Sequence, residues 1–203
     1  MNWTLRVTSY PTTWLPVALQ DVKDYLRISH DSDNAQIVSM IWTATRIAEG
    51  MMRRAVVPQV LEYRFDEFPG RVDPVELPHP PLSTSSSHVS VAYLDSSGAW
   101  ATLPSTAYEV DYRSEPGRIL PSPGNTWPDV GRWSPYPSRR DLGVTVTYRC
   151  GYEASSAIPE PIRHWVVMRV GAMYEHREAL ADRAPQELAR NYVDGLLDPY
   201  RVF

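Results

Sequence analysis

The sequence lacks three features, and each absence excludes a class of protein. A single cysteine, Cys150, cannot form an intrachain disulfide, which excludes a disulfide-stabilised secreted domain. No apolar run approaches the about 20 residues that a membrane-spanning helix requires. The first ten residues also lack the continuous apolar stretch of a secretory signal. These absences together predict a cytosolic protein.

An excess of positive charge is missing as well. The 203 residues include 20 Lys and Arg against 24 Asp and Glu, so the formal net charge is -4. Free-standing binding to duplex DNA depends on Lys and Arg that neutralise phosphates, and an acidic chain is a poor candidate for it. Hydrophobic residues make up 43% of the chain, which is enough for one domain or two small ones with their own cores.

The sequence carries none of the usual catalytic or metal-binding constellations. It has no G-x-S-x-G elbow and no glycine-rich phosphate loop. His164 and His176 are not neighbours at helical spacing, and the run Glu175–Glu178 lacks the second His of H-E-x-x-H. We therefore predict that the protein has no metal ion and no cofactor, and that it is not an enzyme.

An acidic run, Asp31-Ser32-Asp33, opens like a calcium-binding loop but does not continue as one. The sixth position of the loop is Gln36 where glycine is needed, and the twelfth is Trp42 where glutamate is needed. Helix capping explains these aspartates better. Asp33 is expected to cap the helix that follows, with Gln36 in the capping-box position.

Both ends of the chain have helical periodicity. Residues 17–57 predict two helices, the second of which presents Ile37, Ile41, Ala44, Ala48 and Met51 on one face. After Pro159 another helix presents Ile162, Val166, Val170 and Met173, and a short one is expected from about Pro185 to Leu197.

The middle of the chain has the period of two that is typical of half-buried antiparallel strands. Apolar residues alternate with polar ones from Leu61 to Phe65, from Val89 to Tyr93, from Tyr108 to Tyr112 and from Val144 to Cys150. The run Asp95–Gly98 predicts a hairpin turn. The fold class is therefore α+β. Residues 1–57 and 159–203 are predicted to form a small helical bundle, and residues 58–158 an inserted antiparallel β-rich domain.

A proline-rich loop, residues 116–137, is rich in aromatic residues that are common at protein interfaces. Trp127 and Trp133 lie near Arg132, Arg139 and Arg140, and exposed Trp and Arg are enriched at such contacts. These five residues are the candidate interface loop. Two alternatives remain open, since the tryptophans could instead belong to the β-domain core or stack on a ligand.

Several ordered segments carry a resemblance to a known family. They are VKDYLRI (22–28), YRFDEFP (63–69), VAYLDSSGAW (91–100), NTWP (125–128), VTVTYRCGY (144–152) and LLDPYRV (196–202). In this order they resemble the head–tail connector, or adaptor, proteins of tailed phages, in particular the longer subgroup with a β-rich insertion. Each segment alone is a packing or turn signature.

The resemblance implies a structural protein of the virion neck, made in the host cytoplasm. Such proteins form a ring of about twelve copies under the portal protein, extend the conduit for double-stranded DNA and receive head-completion or tail proteins. Sequence-specific DNA binding and membrane contact are not implied.

The family also implies that the C-terminal segment docks on the portal. Here that segment is the terminal stretch Pro199, Tyr200, Arg201, Val202 and Phe203. An aromatic-plus-Arg peptide beyond the last helix is expected to be free to order on a partner. The alternative is that it packs on its own bundle.

A second function from another class is a carbohydrate- or receptor-binding β module on a helical stalk. Trp127 and Trp133 would then be the stacking residues.

Overall fold

The computed structural model describes residues 2–84, 88–131, 142–175 and 193–202. The predicted α+β class is confirmed, with helices beside antiparallel sheets. The chain divides into two units. A β unit comprises residues 1–11 and 58–151, and a helical unit comprises residues 12–57 and 152–203.

The β unit is built around a five-stranded antiparallel sheet in the order β1-β2-β8-β4-β5. Its strands are β1 (Trp3–Ser9), β2 (Gln59–Phe65), β4 (Val89–Leu94), β5 (Trp100–Leu103) and β8 (Val144–Cys150). The central strand β8 buries every second residue, as its alternating sequence predicts. Cys150 is a buried free thiol at its end.

A second, three-stranded sheet has the order β3-β7-β6. It consists of β3 (Val75–Leu77), β6 (Tyr108–Asp111) and β7 (Gly117–Pro121). Two tyrosine hydroxyls link the sheets, since Tyr108 Oη donates to the Val89 carbonyl at 2.9 Å and Tyr148 Oη donates to the Pro78 carbonyl at 2.6 Å. Burial raises the pKa of Tyr148 well above its ordinary value, so this hydroxyl keeps its proton as a donor.

The predicted hairpin between β4 and β5 is confirmed. Asp95 N donates to the Ala99 carbonyl at 2.8 Å, and Gly98 takes the positive φ of +82° that glycine adopts without strain. The Asp95 carboxylate accepts from the Ser97 hydroxyl and from the Ser97 and Ala99 amides. These bonds, that of the Ser97 hydroxyl first, lower the pKa of Asp95.

The predicted domain boundaries are wrong at two places. Residues 3–9 were assigned to the helical bundle, but they form β1 and pair with β2 from Trp3 opposite Phe65 to Val7 opposite Leu61. The reason is the alternation of Trp3, Leu5 and Val7, which suits a strand. The second boundary falls after Gly151 rather than after residue 158. Tyr152 N already donates to the Val56 carbonyl of the helical unit at 3.3 Å.

The helical unit contains α1 (Leu19–Leu26), α2 (Asn34–Met52) and α3 (Glu160–Glu175). The predicted apolar faces of α2 and α3 are largely confirmed, and Trp165 is the largest side chain in their core. The fully buried residues of this core include Val22, Ile37, Ile41, Ala44, Ala48, Met52, Ile162, Val166 and Val170. None of the helices in the described part of the chain is long and apolar enough to cross a membrane.

The predicted capping box at the start of α2 is absent. Asp33 is the residue before the helix, but its side chain makes no capping hydrogen bond. Its carboxylate instead accepts from Tyr174 Oη of α3 at 2.6 Å and from Ser32 Oγ at 3.2 Å. A long-range bond to a tyrosine has replaced the local bond that the sequence favours.

The short helix predicted from about Pro185 to Leu197 lies mostly outside the described residues. Within them, the chain is helical at residues 193–194 and turns through Leu197 into a single 3-10 turn, Asp198–Tyr200. Leu197 is fully buried in the helical core.

At the end of α2, a buried carboxylate holds the chain as it leaves the helix. Glu49 Oε1 accepts from the amides of Val56 at 2.8 Å and Val57 at 3.2 Å. These amides are buried, and without a partner each would raise the free energy of the folded state.

We predict that Glu49→Ala lowers the free energy of unfolding by about 2–4 kcal/mol, because two buried amides lose their acceptor. Glu49→Gln is the matched control, since it keeps a side-chain oxygen, and it is expected to lose less than half as much. Urea denaturation measures both. Equal losses for the two variants would contradict the role assigned to the acceptor.

Candidate functional site

The C-terminal segment lies against the end of α2, where several backbone groups have no partner within a helix. The chain stops being helical at Arg53, which adopts a left-handed conformation with φ of 52°. The last carbonyls of a helix need acceptor partners from outside it. Met52 is one of these residues, and its carbonyl accepts from Val202 N at 2.9 Å.

A buried arginine adds a second bond to the same segment. Arg54 is 6% exposed, and its Nε donates to the Tyr200 carbonyl at 3.0 Å. Trp165 Nε1 donates to Asp194 Oδ1 at 3.1 Å just before the buried Leu197. The segment that precedes the chain end is thus bonded to its own unit at three points.

The tail is therefore not a free peptide, contrary to the expectation from its sequence. Its alternative, packing on its own bundle, describes the residues up to Val202, whereas Phe203 lies outside the described residues. Pro199 and Arg201 remain exposed, and Arg201 Nη1 is 3.2 Å from Asp198 Oδ1. The backbone is fixed while these two side chains face solvent.

Trp127, the one described member of the candidate interface loop, belongs to the core of the β unit. It is 4% exposed and stacks on Phe68 with ring centroids 4.6 Å apart and planes 3° apart. Its Nε1 donates to the Asp73 carbonyl at 2.8 Å, and its backbone amide donates to the Arg71 carbonyl at 2.8 Å. The core interpretation thus describes Trp127. Arg132, Trp133, Arg139 and Arg140 lie outside the described residues.

Two other tryptophans carry exposed surface, and the sequence analysis did not single them out. Trp3 on β1 is 59% exposed, and Trp100 on β5 is 46% exposed. The Arg64 guanidinium lies over the Trp100 ring, 5.6 Å from its centroid. The alternation of residues 3–7 was the available signal for the first of them.

The acidic run before α2 is used for contacts within the protein. Asp31 Oδ1 accepts from Lys23 Nζ at 2.6 Å and from Asn34 Nδ2 at 3.1 Å. The bond to Lys23 is the largest of the causes that lower the pKa of Asp31. An open polar hollow contains this pair, and its lysine charge is matched by the aspartate.

Other polar clusters do not form a recognisable catalytic set. Ser83 Oγ lies 2.8 Å from His88 Nδ1, and Ser83 N donates to the Arg149 carbonyl at 2.9 Å. This pair ties a connection to the end of β8. In the described part of the chain, no three His, Cys, Asp or Glu side chains are placed to share a metal ion.

Three solved structures share the fold over nearly the whole chain. The neck of an empty GTA particle, computed with C6 symmetry, matches with a TM-score of 0.74 and 18% identity, covering 98% of this chain and 96% of that chain. The neck of a native GTA particle, computed with C12 symmetry, matches at 0.72 and 19%, covering 98% and 96%. The virion of a native gene transfer agent (GTA) particle matches at 0.72 and 18%, covering 98% and 95%.

No protein-family model and no curated protein matches the chain. At identities of 18–19% the three likenesses establish the fold.

We predict that Trp127→Ala lowers the free energy of unfolding by about 3–5 kcal/mol, as expected for a large aromatic side chain removed from a core. Trp100→Ala removes an exposed tryptophan from the same unit and should cost less than about 1 kcal/mol. Chemical denaturation followed by circular dichroism measures both. A small loss for Trp127→Ala would return this residue to the interface interpretation.

Removal of residues 199–203 is expected to lower the free energy of unfolding by about 1–3 kcal/mol, because two hydrogen bonds to the end of α2 disappear. The control Arg201→Ala removes only an exposed ion pair and should change it by less than about 0.5 kcal/mol. Thermal and urea unfolding provide the measurement. A truncated chain as stable as the parent would mean that the tail is free in solution.

Proposed function

We propose that this chain is a structural neck protein of a tailed phage or a phage-like particle. About twelve copies form a ring under the portal, as the symmetry of one similar neck suggests. The ring extends the DNA conduit and provides the platform for tail attachment. The observation that carries this proposal is the fold likeness to two neck structures over 98% of the chain, including both of its units.

The use of the polar side chains supports a structural role. Glu49, Asp31, Asp33 and Asp95 each accept hydrogen bonds that fix a helix end, a loop or a turn. Carboxylates engaged in this way hold the fold and are not poised for acid–base chemistry.

The charge balance supports passage of DNA without tight binding. A strongly basic lumen would hold the phosphates of a duplex, whereas a chain with net charge -4 leaves the duplex able to slide. Of the arginines that end α2, Arg54 is buried against the tail, so Arg53 is the exposed one.

The tail supplies a defined candidate surface for the portal. Its backbone is anchored to α2, and the exposed Pro199 and Arg201 side chains are presented in a fixed geometry. A preordered surface loses less conformational entropy on binding than a free peptide does. We propose that the segment Pro199–Phe203 contacts the portal in this packed position.

The alternative function, a carbohydrate- or receptor-binding module, has lost one of its two stacking residues. Trp127 is stacked on Phe68 in the core and offers no open ring face of the kind that sugars require.

Electron microscopy of this protein mixed with the portal protein from the same genome tests the proposal. We expect rings stacked on the portal, which neither protein alone produces. No association at any concentration would contradict the neck function.

The contribution of the tail is tested separately in the same mixtures. Arg201→Ala is expected to weaken portal binding by about tenfold, because a charged side chain at an interface is lost. Arg113→Ala removes an exposed arginine of the β unit and should leave binding unchanged. Stacked rings with undiminished affinity for Arg201→Ala would keep the neck function and exclude the tail contact.

A further inference from the structure

The five-stranded sheet ends in two open edges, β1 on one side and β5 on the other. Trp3, Leu5 and Val7 of β1 stand opposite Phe65, Tyr63 and Leu61 of β2, on the side of the sheet that carries the core. We name these three β1 residues the β1 strip. Phe65 is 0% exposed, whereas its neighbour Trp3 is 59% exposed. The apolar side of the sheet thus continues into solvent at its edge.

The β5 edge carries apolar residues on the same side of the sheet. Leu103 stands opposite Val91, which stands opposite Val146, and that row continues through Tyr63 to Leu5. Ala101 lies on the same side as Leu103, and both are half-buried. A second sheet added at either edge would therefore meet an apolar row on the matching side.

Neither edge has the features that usually prevent strands from pairing with other chains. Natural edge strands are protected by charges, prolines or irregularities. The only charged residue of β1 is Arg6, and β5 has none. The register shift in β1 falls between Val7 and Ser9, so the β1 strip itself lies in regular strand.

The strand directions determine how two copies could meet. All four pairings in this sheet are antiparallel, so β1 and β5 run in the same direction. A contact between two different edges is heterologous, and repeating it by rotation closes a ring. A contact of β1 with β1 would instead stop at two copies.

We infer that the β1 edge of one copy packs against the β5 edge of the next copy, with the two strands parallel. The neighbouring copy covers the β1 strip, and this inference rests on the proposed ring. A second copy suits the geometry because every copy carries both edges. The β1 strip is also small beside the about 800 Å² per partner of a stable isolated complex, so it suits a ring closed by many contacts.

Cross-linking in assembled rings tests this interface. Thr4→Cys and Thr8→Cys place thiols along β1, and Thr102→Cys places one on β5, all at exposed positions. The native Cys150 is buried, and the parent protein serves as its control. Each variant is assembled on the portal, alone or mixed with another, and treated with a short bismaleimide.

Mixtures of a β1 variant with Thr102→Cys are expected to give cross-linked dimers, while each variant alone gives none. Glu109→Cys, on the exposed surface of the other sheet, replaces Thr102→Cys as the matched control and should give none. Dimers from Thr4→Cys or Thr8→Cys alone, or rings without any β1–β5 cross-link, would overturn the interface. Electron micrographs of the same samples separate that outcome from a missing ring, which would overturn the proposed function.

The apolar contact is tested with the double variant Trp3→Thr, Val7→Thr, since threonine suits an exposed strand. The protein concentration for half-maximal ring formation on the portal should rise at least about tenfold, while the free chain unfolds at the same denaturant concentration. Val72→Thr, at a site 62% exposed outside the sheets, should change neither quantity. An unchanged concentration for the double variant would exclude a role for the β1 strip.

Discussion

The hydrogen bonds at the C-terminal end of α2 are the constraint on which the helical unit depends. The Glu49 carboxylate turns the chain out of the helix by holding the Val56 and Val57 amides. At the same end, the Met52 carbonyl and the Arg54 guanidinium hold the returning C-terminal segment at Val202 and Tyr200. Sequence positions about 150 apart therefore meet at a single helix end, because its backbone groups and buried arginine need partners there.

Local pattern predicted most of the fold and little of the candidate site. Alternation along β8 and the apolar face of α2 were correct because burial on one side of an element imposes its period on the sequence. Partners distant in sequence were not predictable. Asp33 binds Tyr174, 141 residues away, in place of its local cap, and the aromatic composition around Trp127 could not reveal a stack on Phe68. The tail's return to α2 likewise depends on an unpaired carbonyl that no pattern displays.

The two units divide the structural work in a way that fits an assembly protein. In the helical unit, α2 and α3 enclose Trp165 and the terminal segment is fastened to the outside of that core. In the β unit, Trp127 and Phe68 complete the core, while Trp3 and Trp100 remain exposed at the two edge strands. Large aromatic side chains left at the edges of a sheet are more typical of a subunit that awaits a neighbour than of an isolated monomer.

The neck assignment is tested most directly by cryo-electron microscopy of intact particles from the same genome. The account predicts that the fold of this chain fits density between portal and tail as a closed ring, with both its β-sheets and its helices accounted for. It also predicts that particles lacking the chain retain heads without joined tails. Density at the head–tail junction that this fold cannot fit, or tailed particles assembled without the chain, would contradict it.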